Sequence, residues 1–386
     1  MHKLIPFILF SFCLTSAQAQ VYFPSGVDSL LREEFNNGRW KNVIHITDSL
    51  QKIDLAYNEA FEMAANAAYF LNKPFKQHYY LQHALHNNPT DSIILLKLAD
   101  CLWITQQYSH ANKLQLKLLK GGILNQQNKV KVNATHVDIG SKLSSNSSLY
   151  NNLNFIFIGG AFPIKSILTY HGITYLSQKS FYGDMIQVQY YLNSSIALKK
   201  SWKLNGMLHL ADYNLTNYPS ELAGNRIISG KPYIVGLGVS KLNQNLLLGI
   251  DVVKSNLNYQ NQFQVISAIT YYPLNNTKLI LLASANYLTE KSCLISSYQL
   301  TYSPTKTLKI TSGYLQANAR NFTEQGAFLM HNSLDVTRNR YTLTVNKHIS
   351  PNTSLTSIFQ LENKIETISN TNYQYILLSI GIKKIF

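Results

Sequence analysis

The chain has 386 residues, 14% of them charged, a net charge of +15, 25 tyrosines and three cysteines. Soluble globular domains carry about a quarter charged residues, and disordered chains have few aromatic ones, so the composition fits neither class. Three cysteines exclude a disulfide scaffold, and a mean hydropathy of −0.09 excludes a bundle of membrane helices. The cations concentrate in residues 129–386 but are scattered singly, which argues against nucleic-acid binding.

Residues 1–19 have the pattern of a secretory signal peptide. Lys3 supplies a positive start, residues 4–15 form a short apolar run, and Ala17 and Ala19 are small residues at a cleavage site. The run is shorter than the ~20 apolar residues that a membrane-spanning helix needs. We therefore predict export, with cleavage after Ala19.

Residues 20–128 predict a helical repeat domain. Apolar residues recur at helical spacing, and Trp40, Phe75 and Tyr108 each follow a predicted helix break at intervals of 35 and 33 residues. Such a period resembles the tetratricopeptide repeat, in which pairs of helices stack on one another. Ala65 and Ala99 take equivalent positions 34 residues apart, as expected where helices cross closely. The three aromatic residues are predicted to form the core between helices, and an unrelated array of helical hairpins is the alternative.

Residues 129–386 predict an antiparallel transmembrane β-barrel. Ile186, Val188 and Leu192 alternate with Gln187 and Asn193, and similar alternation recurs at 246–255 and 340–346. Segments of about ten residues with one apolar and one polar face are the signature of such barrels. A soluble β-sandwich also alternates, but these predicted strands are long and the last one runs to Phe386. An aromatic final residue resembles the C-terminal signal of bacterial outer-membrane barrels.

The connections predict about 14 strands, with 12 and 16 as alternatives. Short turns rich in Pro and Asn are predicted at 162–165, 199–201, 242–245, 273–276, 303–305 and 350–353. Longer polar connections are predicted at 214–230 and 320–336, the second with room for an extra hairpin. Short turns face the periplasm in these barrels. The fold class is therefore α+β with two domains: periplasmic helices followed by an outer-membrane barrel.

Candidate functional residues lie in the predicted lumen near the last hairpins. The even-numbered Arg340, Glu362 and Lys364 face inward if the apolar odd-numbered residues face lipid. Folding the chain about residues 351–352 brings Arg340 opposite Glu362 or one inward step away, where the two charges would pair. Solvated charges at the rim are the alternative.

No catalytic motif, cofactor site or metal site is predicted. The histidines of the barrel are isolated from one another, and its carboxylates form no catalytic pair. Cys101 and Cys293 lie in different predicted domains, so no disulfide is expected. We predict that the chain is not an enzyme.

The order of signal peptide, helical repeats and barrel resembles the exopolysaccharide exporters and related outer-membrane proteins of Gram-negative bacteria. The resemblance implies a barrel in the outer-membrane bilayer, a periplasmic protein partner for the repeats, and polysaccharide or other cargo. Two functions remain open. One is a pore or export component with a polar lumen; the other is an anchor or assembly scaffold whose filled lumen holds the repeats at the membrane.

Overall fold

A computed structural model describes residues 25–124, 133–146, 150–180, 183–216, 228–257, 260–290, 292–324, 330–366 and 370–385. Helices occupy the first of these ranges and β-strands the others. The predicted signal peptide and Phe386 lie outside the described residues.

Six helices follow one another in the N-terminal part. Each helix packs on the next one in the chain. Helices α2, α4 and α6 begin at Trp40, Pro74 and Tyr108, which are 34 residues apart. In the described residues no helix is long and apolar enough to cross a membrane. The bounds are α1 Ser25–Asn36, α2 Trp40–Lys52, α3 Asn58–Phe70, α4 Pro74–Asn87, α5 Ser92–Ile104 and α6 Tyr108–Lys120.

The turns between paired helices repeat the same backbone geometry every 34 residues. Gly38, Asn72 and Gln106 have positive φ angles of 69°, 54° and 61°. At each turn the following N–H donates to the carbonyl five residues back, as in Lys73 to Ala68 at 2.8 Å. This Schellman arrangement satisfies the last carbonyls of α1, α3 and α5. The spacing deduced from aromatic residues is therefore present in the helix boundaries as well.

Small residues let these helices pack closely. Ala65 lies in α3 and is 1% exposed, within the main core of the helical part. Ala99 lies in α5 and packs in a second cluster with Leu95 and Leu118. Asp91 caps the start of α5, because its carboxylate accepts hydrogen bonds from the N–H groups of Ile93 and Ile94.

One antiparallel sheet contains every described strand. Long strands alternate in direction, and a three-residue strand, β6, adds to the edge of β5. The bounds are β1 Ala134–Ser144, β2 Tyr150–Ile164, β3 Ile167–Ser180, β4 Gly183–Ala197, β5 Trp202–Thr216, β6 Ile228–Gly230, β7 Tyr233–Asn243, β8 Leu246–Leu257, β9 Gln260–Tyr271, β10 Leu279–Leu288, β11 Cys293–Tyr302, β12 Leu308–Thr323, β13 Met330–Ser350, β14 Thr353–Ile365 and β15 Asn372–Ile385.

The sheet closes into a barrel of 14 long strands. The first strand pairs with the last, with Ala134 opposite Ile385, and β5 pairs with both β4 and β7. Closure removes the unpaired edges that lipid could not satisfy. The predicted number of long strands is confirmed.

The two faces of the wall have opposite character. On β4, Ile186 and Val188 are exposed on the outside, whereas Gln187 and Tyr191 are buried inside. The same alternation holds on β8 and β13, where Ile250 and Tyr341 face outward. Apolar residues outside and mostly polar residues inside are the arrangement of a membrane barrel.

The predicted short turns all lie at one end of the barrel, which we call the helix end because the helices sit there. The prediction for 320–336 was wrong in part. It was expected to be a long polar connection, but β12 continues to Thr323 and β13 begins at Met330. Residues 320–323 and 330–336 alternate only weakly between apolar and polar residues, so the sequence pattern did not reveal these strand extensions. For the other long connection, β5 extends to Thr216 and residues 217–227 lie outside the described part.

Candidate functional site

The helical part lies against the mouth of the barrel at the helix end. In α6, Asn112 donates to the carbonyl of Lys165 at 2.9 Å, and Lys113 donates to that of Ala197 at 2.8 Å. Ser109 in the same helix bonds Ser195 at 2.5 Å. These contacts fix α6 across the β2–β3 and β4–β5 turns.

Helix α4 covers the neighbouring turns. The ring of Phe75 is fully buried and lies 4.1 Å, between centroids, from that of Tyr272. Leu242 completes this cluster from the β7–β8 turn. Phe75 was predicted to fill the core between helices, and the structure instead places it between the helices and the barrel. The sequence pattern could not separate these two kinds of burial, because both require an apolar residue at the same helix position.

Two neutral histidines and a thiol lie near this interface. Burial lowers the pKa of His78 to about 4, with a smaller effect from His110. Burial lowers the pKa of His110 to about 4 as well, assisted by Lys203 on β5 and Lys113 on its own helix. Burial raises the pKa of the Cys101 thiol to about 12, and the thiol donates to the carbonyl of Pro74. Both histidines and the thiol are therefore uncharged at neutral pH.

The three charges predicted for the lumen do face inward. Arg340, Glu362 and Lys364 are 7%, 1% and 5% exposed. Arg340 stands directly opposite Glu362 in the ladder between β13 and β14. This position arises because the ladder shifts register by one residue between His348 and Ser350, directly after the short turn at 351–352.

The ion pairs differ from the predicted one. Glu362 binds Lys142 of β1, lies 3.7 Å from the ammonium of Lys364, and accepts from Thr337 at 2.9 Å. The guanidinium of Arg340 instead binds Glu324 at 2.6 Å. The expectation of a simple Arg340–Glu362 pair was therefore too narrow, because it considered only two adjacent strands. Lys142 approaches across β15, and Glu324 approaches from the end of β12.

Tyrosines complete the polar wall of the lumen. Tyr150 and Tyr373 both donate to the carboxylate of Asp335, at 2.6 and 2.5 Å. The ammonium of Lys142 lies 4.5 Å from the ring centroid of Tyr375. Lys142, Asp335, Tyr150 and Tyr373 were not singled out from the sequence. Asp335 has the odd parity of the outward residues around Arg340 and faces inward because the ladder shifts register between Thr337 and Asn339.

The opposite wall of the lumen carries two buried apolar clusters at inward-facing positions of β5 to β12. Buried polar residues such as Gln262 and Gln264 lie among them. The lumen therefore has one side with a network of charges and one side with apolar clusters between neutral polar groups. The first cluster contains Met207, Ile234, Val253, Leu257 and Ile266, and the second contains Leu288, Ile295, Leu315, Ala317, Ala319 and Phe322.

A groove of about 680 Å³ lies on the helical part. Trp40 lines it, stacked on Phe70 at 4.5 Å between centroids. Tyr108, predicted as core, is instead 39% exposed and packs on Trp103. Because α1, α3 and α5 supply most of the lining, the groove follows one face of the array. Its walls are Phe35, Asn36, Trp40, Asn66, Tyr69, Phe70, Gln77, Lys97, Asp100, Cys101 and Ile104.

These features define a class: a transmembrane β-barrel of the outer-membrane type, with a charged lumen and helices at one mouth. Three solved structures resemble it. A mutant of the monoaromatic hydrocarbon channel TodX, from Pseudomonas putida, is 9% identical with a TM-score of 0.48 and covers 67% of this chain and 91% of its own. The Ralstonia pickettii toluene transporter TbuX is 10% identical, scores 0.45, and covers 67% and 90%. A Pseudomonas aeruginosa FadL homologue is 8% identical, scores 0.42, and covers 65% and 89%.

At these identities the likeness concerns the fold alone. No protein-family model matches the sequence, and no curated protein matches it either.

Proposed function

We propose that this protein is a gated passage through the outer membrane, with its helical part at the periplasmic mouth. The supporting observation is the set of buried charges in the lumen, centred on Glu362, Lys142 and Lys364. Moving charges out of water costs several kcal/mol per ion, so an apolar filling would stabilise a pure anchor better. Charged side chains inside a barrel are expected where the lumen binds or passes water or a solute.

The turns support the orientation. Long loops face the outside in bacterial barrels. The longest interval between strands, residues 217–227, lies at the end opposite α4 and α6, although short connections occur at both ends. The helical part would then lie in the periplasm, as the predicted signal peptide and order of domains require.

The two walls of the lumen favour a small, partly apolar solute as cargo. One wall offers ammonium, carboxylate and phenol groups, while the other offers the clusters around Ile234 and Phe322. A polysaccharide, which the resemblance to exporters implies, would use the first wall but gain little from the second. Export of polysaccharide therefore stays a prediction from domain order.

We further propose that the helices form a tetratricopeptide-like domain that binds a periplasmic protein. The 34-residue recurrence of helix starts and turns supports this assignment. The aromatic groove beside Trp40 and Phe70 is where such a partner would bind, because concave faces of repeat arrays commonly bind proteins.

Conductance across a planar bilayer tests the passage. The full chain should give discrete openings, and loosening the helix-end contacts by Phe75→Ala should lengthen them. If neither protein conducts and neither passes small solutes into liposomes, the passage is rejected.

An anchor that merely presents the helices is the second candidate. The covering of the helix-end mouth by α4 and α6 favours it. A silent barrel together with specific capture of a periplasmic protein by the groove would establish the anchor instead.

A further inference from the structure

The end of β12 opposite the helices bends away from the line of the wall while it stays paired with the start of β13, with Asn321 opposite Asn332 and Thr323 opposite Met330. The ladder between β12 and β13 shifts register between Gln316 and Ala319 and again between Ala319 and Asn321. Asn318, inside this interval, has a positive φ of 53°. Bulges of this kind bend a strand sharply. We call residues 317–324 the inner segment.

Contacts of the inner segment lie on distant strands. Asn321 donates through its amide to the carbonyl of Leu257 at 3.4 Å, and the N–H of Thr323 donates to Gln264 at 3.1 Å. Leu257 ends β8 and Gln264 lies in β9, three strands from β12. At about 4.8 Å between strands, three steps along the wall amount to roughly 14 Å. The inner segment therefore reaches these partners through the lumen.

Two side-chain amides hold the backbone of one residue of this segment, Thr323. Gln264 accepts from the N–H of Thr323, and Asn286 donates to the carbonyl of Thr323 at 2.7 Å. Asn286 also donates to Gln264 at 3.2 Å, which joins the two amides. Thr323 and Gln264 are fully buried. We call Gln264 and Asn286 the amide clamp.

Further contacts hold the inner segment on either side of the clamp. Phe322 is fully buried against Leu288 and Ile295 of β10 and β11. Glu324, immediately after Thr323, binds Arg340 on β13. The segment thus contacts both the strands that carry the apolar clusters and the charged side of the lumen, at the end far from the helices.

Beside the clamp, the wall carries polar groups that the closed arrangement does not use. Ser255 is fully buried and Gln262 is 2% exposed, and these two residues face each other across the β8–β9 ladder. The Ser255 hydroxyl and both amide atoms of Gln262 make no hydrogen bond within the described residues. Burying such groups costs free energy unless they are paired. Their presence fits a surface that water or solute reaches when the inner segment moves.

We infer that the inner segment is a movable closure of the outer mouth, held by the amide clamp. Neutral hydrogen bonds contribute little net free energy each, since water replaces them on opening. A clamp made of such bonds can release without unfolding the ladder of the wall. The inference rests on the proposed passage, because a closure has a function only where something passes.

Thiol labelling tests the closure independently of transport. Thr323→Cys is introduced in the full chain with Cys101→Ser and Cys293→Ser. The clamp holds the backbone of residue 323, so the substitution leaves both clamp bonds in place. A charged, membrane-impermeant maleimide is added to the purified protein in detergent, and the labelling rate is measured. Gln264→Leu with Asn286→Leu removes the clamp at similar volume. Gln360→Leu is the matched control, an inward-facing amide of β14 opposite Thr342.

The parent should react slowly, the clamp variant roughly tenfold faster, and the control at the parent's rate. Heat-modifiable gel mobility identifies preparations with a folded barrel, and only these are compared. Equal rates in clamp and control variants, or rapid labelling of the parent, overturn the closure. Conductance of the same variants separates the two proposals. Faster labelling without any conductance upholds the movable segment and overturns the passage.

Discussion

Arg340 faces Glu362 directly across two neighbouring strands, yet each side chain is bound by a charge from farther away. Glu362 joins Lys142 and Lys364, while Arg340 joins Glu324. The two halves of the network connect the wall to the inner segment. Removing either carboxylate therefore alters the charge of the lumen. Removing that of Glu324 also breaks the ion pair with Arg340 that binds the inner segment to the wall.

Glu362→Gln should shift ion preference toward anions. The substitution keeps an acceptor for Thr337 but leaves the ammonium groups of Lys142 and Lys364 without their carboxylate. Uncompensated buried cations attract anions, and breaking a buried pair costs about 3–5 kcal/mol of stability. Reversal potentials under a salt gradient measure the preference, and denaturant unfolding of the barrel measures the stability.

Glu290→Gln is the control for this prediction, because Glu290 is an exposed acid whose carboxylate accepts from the N–H of Phe263. It removes the same charge outside the lumen. A reversal potential that is identical in Glu362→Gln and the parent would contradict a role for this network in selectivity.

The sequence predicts the part of this site that depends on local periodicity. Alternation decides which residues of β14 face inward. The turn at 351–352 alone would place Tyr341 opposite Glu362, and a register shift between His348 and Ser350 places Arg340 there instead. The sequence cannot predict Lys142 as the partner, because that contact joins residues 220 positions apart. The bend that brings Glu324 to Arg340 arises from bulges that have no strong residue signature.

Phe75→Ala should release the helical part from the barrel. The side chain is fully buried against Tyr272 and Leu242, and removing a buried phenylalanine costs about 3–5 kcal/mol. Limited proteolysis should cut the chain between helices and barrel faster, while the barrel keeps its heat-modifiable mobility.

Phe70→Ala provides the comparison, since Phe70 is 59% exposed and lies on the groove rather than at the barrel. It should leave the rate of cleavage unchanged. Equal acceleration by both substitutions would mean that Phe75 supports the fold of the helices and not their docking.

Ala65→Leu should destabilise the helical part by about 1–3 kcal/mol, because the core around α3 has no room for three more carbons. Loss of the helical circular-dichroism signal in urea measures the effect. Glu33→Leu adds leucine at an exposed position of α1 and should change the midpoint little. A midpoint that Ala65→Leu leaves unchanged would argue against close crossing of the helices there.

Docking of the helices should weaken on acidification. His78 and His110 have pKa values of about 4 in the folded protein, against 6.5 for an exposed histidine. Because docking lowers the pKa values of the two histidines, these histidines take up protons at a higher pH in the released state than in the docked state. The contribution of the two neutral histidines to the free energy of docking is complete above pH 6.5. It falls as the pH drops toward 4 and changes no further below that value.

The groups around His110 support this direction. Lys113 on its own helix and Lys203 on β5 would both repel its charged form, and His78 on α4 would do so once protonated. The urea midpoint for the helical signal should therefore fall between pH 7 and pH 4.5. His110→Gln should flatten the dependence, whereas His45→Gln, at an exposed position of α2, should not. An unchanged slope in His110→Gln would show that other groups govern the response to acid.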